Sequence, residues 1–287
     1  MPERRNVEST SEPVVYCYDG SFDGLLCCVF ESYEKNELPM DVLQESMPLP
    51  LLLPVKAIET NMEHAKRVQK SIPKKMGYQA LYFLRRAFMT CHPKKDLLIL
   101  QFMRLGYRYG ASVMNRLTDE PVHALFGAVK HLDNEAHLLK GFIRFSDANG
   151  VLVAKIEPKN IVLPLIARHF CERYPEERFL IFDKTNGMVL LYENRSMTIC
   201  SVDEFEQPSP GKEEQKFREL WRLFYKTIEI KERRNPRCRM SHMPKRYWNC
   251  MTEFAEQEQN EGLSCLPEFA EQEQNEGLSC LPESSLT

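Results

Sequence analysis

Four side chains near the middle of the chain have the types that proton-transfer chemistry uses: Glu135, His137, Arg144 and His169. A carboxylate, two imidazoles and a guanidinium gathered in one cleft would supply a general base, a general acid and a group to steady an anion. The same four could instead form a satisfied polar network at one end of a sheet, and both readings stay open. A second set is cationic. Arg233, Arg234, Arg237, Arg239, Lys245 and Arg246 crowd residues 231–248, which end on Tyr247 and Trp248. Cations neutralise phosphates and aromatic faces stack on exposed bases, so this segment is a candidate nucleic-acid surface. Trp248 could equally be a core plug.

Several other chemistries lack their residues. His64, His92, His123, His131 and His242 stand alone, without metal-ligand spacing, and the ten cysteines include no Cys-x-x-Cys pair. A structural zinc or iron–sulfur site needs clustered ligands, so neither a metal nor a cofactor is expected, and the thiols read as reduced and structural. Cys27-Cys28 sits in an apolar run where free cysteine behaves as a small hydrophobe. There is no Gly-rich phosphate loop, no Gly-x-Ser-x-Gly elbow, no His-Glu-x-x-His and no zinc-deaminase pattern. Ordinary NTPase, hydrolase and deaminase activities are thereby disfavoured.

The elements that must position the acid–base set lie in residues 141–202. Gly141-Phe-Ile-Arg-Phe145 reads as a strand, Asn149-Gly150 as a turn and 151–156 as its partner. A helix follows over 162–173, with Leu165, Ile166, His169 and Phe170 at helical spacing. Phe179-Leu-Ile-Phe182 and Met188-Val-Leu-Leu-Tyr192 flank Asn186-Gly187, and Arg195-Ser196 turns the chain into a last strand over 197–202. Asn-Gly between β-prone runs signals a hairpin, because both residues tolerate the positive φ of a type I′ turn. The expected fold is α+β: one antiparallel sheet in β-β-α-β-β(-β) order with a helix across one face. Arg144 would lie on a sheet face near a carboxylate such as Glu157.

Around this core, 14–18 reads as a strand, Asp19-Gly20-Ser21 as a turn and Ser21 as the N-cap of a helix to about residue 35. Such a turn can offer N–H groups to an anion, but Asp19 and Asp23 favour a plain tight connection. A stretch of 38–59 is irregular, with a short strand over 51–58. Thr60 and Glu63 have capping-box spacing. They open a helical subdomain over 60–138 with a second helix over 78–90. A third helix begins near Pro93 and is apolar nearly all round, which marks burial on most sides. A fourth starts at Thr118 and Pro121 and ends near His137. Residues 213–230 form an amphipathic helix with Phe217, Leu220, Trp221, Phe224, Tyr225 and Ile228 on one stripe.

The net charge of −3 conceals an uneven distribution. Nine glutamates and no lysine or arginine follow residue 252, so residues 1–252 carry +6, and 212–246 alone carry +7. The acidic end is a perfect duplication of fifteen residues, 253–267 and 268–282. Two such copies are too few for a solenoid, and their composition predicts disorder. Residues 14–252 read as a single α+β domain and 253–287 as a tail. No apolar run approaches the roughly 20 residues of a membrane span, and no secretory leader is visible, so no membrane association and a cytoplasmic location are expected.

One family carries this pattern of residues. Tyr18-Asp-Gly-Ser-Phe-Asp-Gly24, Glu135-x-His137, Gly141-Phe-Ile-Arg-Phe145, Ile156-Glu-Pro158, His169-Phe170, Asn235-Pro236 and Met243-Pro-Lys-Arg-Tyr-Trp248 occur in one order across 14–254. The chain resembles a bacterial family of DNA-repair or DNA-metabolism proteins built on a domain of unknown function. The resemblance implies a DNA-processing context, since members are encoded beside a radical-SAM DNA-repair protein and related domains are fused to uracil-DNA-glycosylase-like domains. DNA and a radical-SAM enzyme are therefore the expected partners. An accessory DNA-binding factor is the leading expectation. The alternatives are a DNA-acting enzyme using Glu135, His137, Arg144 and His169, or an adaptor that docks protein without touching DNA. The duplicated tail inherits nothing from the family.

Overall fold

The computed structural model describes residues 13–48, 50, 53–202, 205 and 211–254. They fall in two compact units, Met1–Ser209 and Pro210–Thr287. The expected disorder of the duplicated tail concerns residues outside the described ones, apart from Glu253 and Phe254.

The first unit opens with β1 (Val15–Tyr18), α1 (Phe22–Glu34), β2 (Asp41–Gln44) and β3 (Val55–Ala57). β1 lies between β2 and β3 and pairs parallel with both. All four residues of β1 are buried, as a central parallel strand covered on both faces requires. Ser21 caps α1 by accepting from the Gly24 N–H. The Asp19 carboxylate accepts from the Ser21 N–H, the Ser21 hydroxyl and the Thr60 hydroxyl, so the turn that could have held an anion is filled by its own carboxylate. Burial opposes that charge, but these three donors prevail and hold the Asp19 carboxyl below its usual range.

Four helices follow: α2 (Met62–Met76), α3 (Tyr78–Phe88), α4 (Lys95–Tyr109) and α5 (Glu120–Phe142). The cap of α2 is Asn61, whose side chain accepts from the Glu63 and His64 N–H groups, while Thr60 turns to Asp19 instead of closing a capping box. Leu97, Leu98, Ile99, Leu100, Phe102 and Met103 of α4 are all buried, as the all-round apolar pattern predicts. They pack with α1, α2, α3 and the start of α5 into one core.

The rest of the unit is β4 (Ser146–Asp147), β5 (Leu152–Ile156), α6 (Leu163–Arg173), β6 (Phe179–Asp183), β7 (Met188–Glu193) and β8 (Ser196–Ser201), in sheet order β4-β5-β6-β7-β8. The expectation of a single antiparallel sheet fails. There are two sheets among the described residues; one is wholly parallel, and the other is mixed because β5 and β6 run parallel. The reason lies in α6: a helix laid across a sheet carries the chain back to the end it left, so the strands before and after it must run the same way. The second failure is at 141–145. Leu125, Val129, Leu132, Ala136 and Leu139 bury one continuous helical stripe that extends to Ile143, and α5 follows it to Phe142 instead of yielding a strand.

The turns divide in the same way. Asn149 and Gly150 both take positive φ, 56° and 82°, as their hairpin requires. At Asn186-Gly187 only the glycine does, and the Asp183 side chain organises the turn by accepting from the Asn186 N–H and amide. The last hairpin turns on Asn194 and Arg195, φ 51° and 59°, one residue earlier than the sequence suggests.

The second unit contains α7 (Lys212–Thr227) and the short α8 (Pro236–His242), then a 3-10 segment at Lys245–Cys250. Phe217, Leu220, Leu223 and Phe224 of α7 stay exposed. Among the described residues no helix is long and apolar enough to cross a membrane.

Gly24 tests the close approach at the first turn. A Cβ there would lie 2.3 Å from an Asp19 oxygen, 2.8 Å from the Thr60 hydroxyl and 2.9 Å from the Tyr18 ring. Gly24→Ala is expected to cost about 1–3 kcal/mol of overpacking, read as a lower urea midpoint; an unchanged midpoint would show that the turn gives way freely.

Candidate functional site

The strongest polar constellation in the first unit is buried. Glu135 is 1% exposed, Asn160 1% and Asp183 0%. The Glu135 carboxylate accepts from the Lys159 N–H at 3.1 Å, the Asn160 N–H at 2.9 Å and the Asn160 side-chain amide at 2.6 Å. Asn160 reaches further: its Oδ1 accepts from the Cys91 N–H at 2.8 Å and its carbonyl from the Asn186 amide at 3.3 Å. The Cys91 and Glu135 contacts fix which end of the Asn160 amide is nitrogen. That nitrogen also lies 3.2 Å from His131 Nδ1, which must then be the acceptor. One asparagine thus links α5, the α3–α4 connection, the β5–α6 loop and the β6–β7 turn. Burial raises the Asp183 carboxyl to about 6, against the lowering effect of the Asn186 donors and with a further push from the Glu135 charge.

This arrangement does not collect the expected acid–base set. Glu135 faces inward, whereas His137, two residues on, is exposed, because residues two apart leave a helix on different faces. Arg144 lies just past the end of α5 and donates to the Gly141 and Ile143 carbonyls, a C-terminal capping role. Its expected partner Glu157 pairs with Lys155 and Lys184 instead. His169, on α6, rests edge-on against Phe170, with its Nε2 buried and lacking a hydrogen-bond partner among the described residues. Burial, Lys140 and Arg173 depress its pKa, outweighing the opposing pull of the Glu172 charge. Sequence reasoning missed Asn160 and Asp183; the only signal was Asp183 three residues before Asn186, the spacing of a side-chain-closed turn.

The basic segment is organised around α8. Pro236 occupies its first turn and the Asn235 side chain caps it by accepting from the Cys238 N–H. Arg233, Arg234, Asn235, Cys238 and Arg239, with Ile228 and Ile230, line an open cleft of about 420 Å³. Arg234 pairs with Glu229 at 3.4 Å. Arg233 and Arg237 are exposed and have no carboxylate partner among the described residues.

Tyr247 and Trp248 lie inside, 2% and 3% exposed. Trp248 stacks on Phe254 at 4.8 Å and donates to the Met243 carbonyl, while Arg239 and Lys245 lie over its ring at 5.4 and 5.5 Å and Arg246 over Tyr247 at 4.5 Å. The rings form the unit's small core, and the arginines of 233–237 face outward. Exposed rings lie elsewhere: Phe217 and Phe224 on α7, and, in the first unit, Tyr78 and Tyr82 of α3, which border a shallow apolar shelf of about 430 Å³.

Fold and site together define an α+β protein of two units, with a buried polar joint in one and an arginine-lined cleft in the other. The chain belongs to the family described as a domain of unknown function, DUF4130, whose model matches residues 93–253, more than half of it. The match begins just before α4 and takes in the mixed sheet and α8, leaving out the parallel sheet. No curated protein and no solved structure matches the chain.

Asp183 gives the joint a pH signature. Its carboxyl titrates higher folded than unfolded, so the folded state binds the extra proton between about pH 4 and 6. The contribution to stability is complete below the unfolded value and is lost as pH rises through 6. Relative to Asp183→Asn, the native protein should lose on the order of 3 kcal/mol between pH 4 and 7. Urea unfolding across that range checks this, and parallel curves for the two proteins would refute it.

Proposed function

We propose that this protein is an accessory nucleic-acid-binding factor in DNA metabolism, and that Arg233 and Arg237 carry the phosphate contact. The observation behind this reading is the pair Arg233 and Arg237, exposed and without carboxylate partners among the described residues, beside a cleft that Arg233, Arg234 and Arg239 line. Cations not neutralised internally attract a polyanion at least desolvation cost. The +7 charge of 212–246 adds to the local field. Resemblance to DNA-metabolism proteins supports the same context and suggests a radical-SAM repair enzyme as the partner. The acid–base alternative gains no support from Glu135, whose carboxylate is buried and engaged.

A second reading, a protein-docking adaptor, draws on the exposed Phe217, Leu220, Leu223 and Phe224 of α7, a stripe of the kind protein partners cover. One titration separates the two. Binding to a short fluorescent duplex should weaken steeply with salt, and Arg233→Ala with Arg237→Ala should reduce the log–log salt slope by about 2 while the circular dichroism stays native. Unchanged affinity and slope would count against phosphate contact by these residues. A native protein that ignores DNA yet co-purifies with the radical-SAM enzyme would favour the adaptor.

A further inference from the structure

Two aromatic rings stand out from the surface of the first unit. Tyr78 is 81% exposed and Tyr82 64%, while Phe83, Leu84 and Ala87 of the same helix are buried. Phe83 packs against Phe102 and Phe126, with ring centres 5.3 and 4.5 Å away, so α3 is pinned to the helical core and the tyrosines project from a rigid base. Residues four apart have their Cβ atoms about 6 Å apart on one helix face, which sets the two rings beside each other. The shelf they border is lined by Gln79, Phe83, Met114 and Val129. Large rings left in water beside an apolar shelf mark a contact surface.

The charge around the rings indicates what they contact. Residues 62–90 hold seven lysines and arginines and a single carboxylate, Glu63, a net +6. Lys74 and Lys75 close α2 just before Tyr78, and both are exposed. Arg85, seven residues after Tyr78, comes back to its side of α3 and is also exposed. None of these three has a carboxylate partner among the described residues. Arg86 does have one: it pairs with Asp133, lies over the Tyr82 ring at 5.2 Å and donates to the Tyr82 hydroxyl at 3.2 Å. That brace holds Tyr82 in place and leaves Tyr78 open.

Unpaired cations flanking bare rings fit a polyanion that carries flat apolar faces. In a duplex the base faces are already stacked on one another, and only an unpaired strand can lay them on tyrosines. We propose that Tyr78 and Tyr82 are a stacking platform for single-stranded nucleic acid, with Lys74, Lys75 and Arg85 meeting its phosphates. The platform rests on the nucleic-acid reading of this protein but uses none of the residues of the arginine cleft. It is tolerant of sequence, because every base has a face to stack.

Fluorescence anisotropy of the full chain with a short labelled oligothymidylate, and with a short blunt duplex, tests this at low salt. Tyr78→Ala with Tyr82→Ala should weaken single-strand binding by about 10- to 100-fold and leave duplex binding unchanged. Tyr78→Phe with Tyr82→Phe, which keeps both rings, should bind the strand as the native protein does. Circular dichroism of both pairs should stay native, since neither tyrosine is part of the core. Arg233→Ala with Arg237→Ala reports on the cleft separately. A silent tyrosine pair beside a sensitive arginine pair overturns the platform alone, and the reverse overturns the cleft alone. The platform is also overturned if the alanine pair weakens duplex binding equally, or if the phenylalanine pair binds as poorly as the alanine pair. Dispersal of a dimer by the alanine pair, with strand affinity unchanged, would assign the shelf to a second copy and overturn it too. Failure of the native protein to bind either oligonucleotide overturns both readings.

Discussion

A carboxylate taken out of water must be met by donors, and Glu135 on α5 takes them from the β5–α6 loop, more than twenty residues further along the chain. Lys159 and Asn160 supply two backbone N–H groups and one side-chain amide. The same asparagine accepts from Cys91 and from Asn186. An unmet buried donor or acceptor costs about 1–3 kcal/mol, so the pieces of this joint are mutually enforcing: moving one strands several others. The parallel pairing of β5 with β6 depends on the α6 crossover, and the entry to that crossover is the loop which Glu135 holds. The joint therefore fixes the helical part against the mixed sheet.

Charge is handled oppositely in the second unit. Its small core is aromatic, built on Tyr247, Trp248 and Phe254, with Arg239 and Lys245 lying over ring faces. Arginine tolerates such a place because its planar cation is weakly hydrated and favours the negative ring face. The neighbouring Arg233 and Arg237 take no share in that packing and remain exposed. One segment thus divides its cations between holding the unit together and facing solvent, and only the second group is free to meet a polyanion.

Local signals were legible wherever one residue type dictates backbone geometry. Ser21 as a cap, the Asn149-Gly150 turn and the buried run of α4 are set by short-range sterics, capping or all-round apolarity. Strand direction was not legible, because it depends on where α6 returns the chain. Gly141 and the aromatic residues of 141–145 suggest a strand locally, but the buried stripe of α5 starts nineteen residues earlier at Val122 and reaches Ile143. Within the site, the outward-facing arginines could be read from composition. The fate of the aromatic pair could not, since burial of Trp248 depends on Phe254 folding back over it. Asn160 was invisible for a similar reason: an asparagine in a loop gains its meaning only from the carboxylate and N–H groups that three distant segments bring to it.

The central claim is that a polyanion would meet this chain at the arginine cleft of the second unit, while the buried joint of the first unit stays a structural fastening. Amide hydrogen exchange of the full chain, with and without a short DNA duplex at low salt, addresses this most directly. Exchange across residues 228–242 should slow on adding DNA, with the amides of Lys159 and Asn160 unchanged. Absence of protection over 228–242, or protection centred on the Glu135 joint, would contradict it.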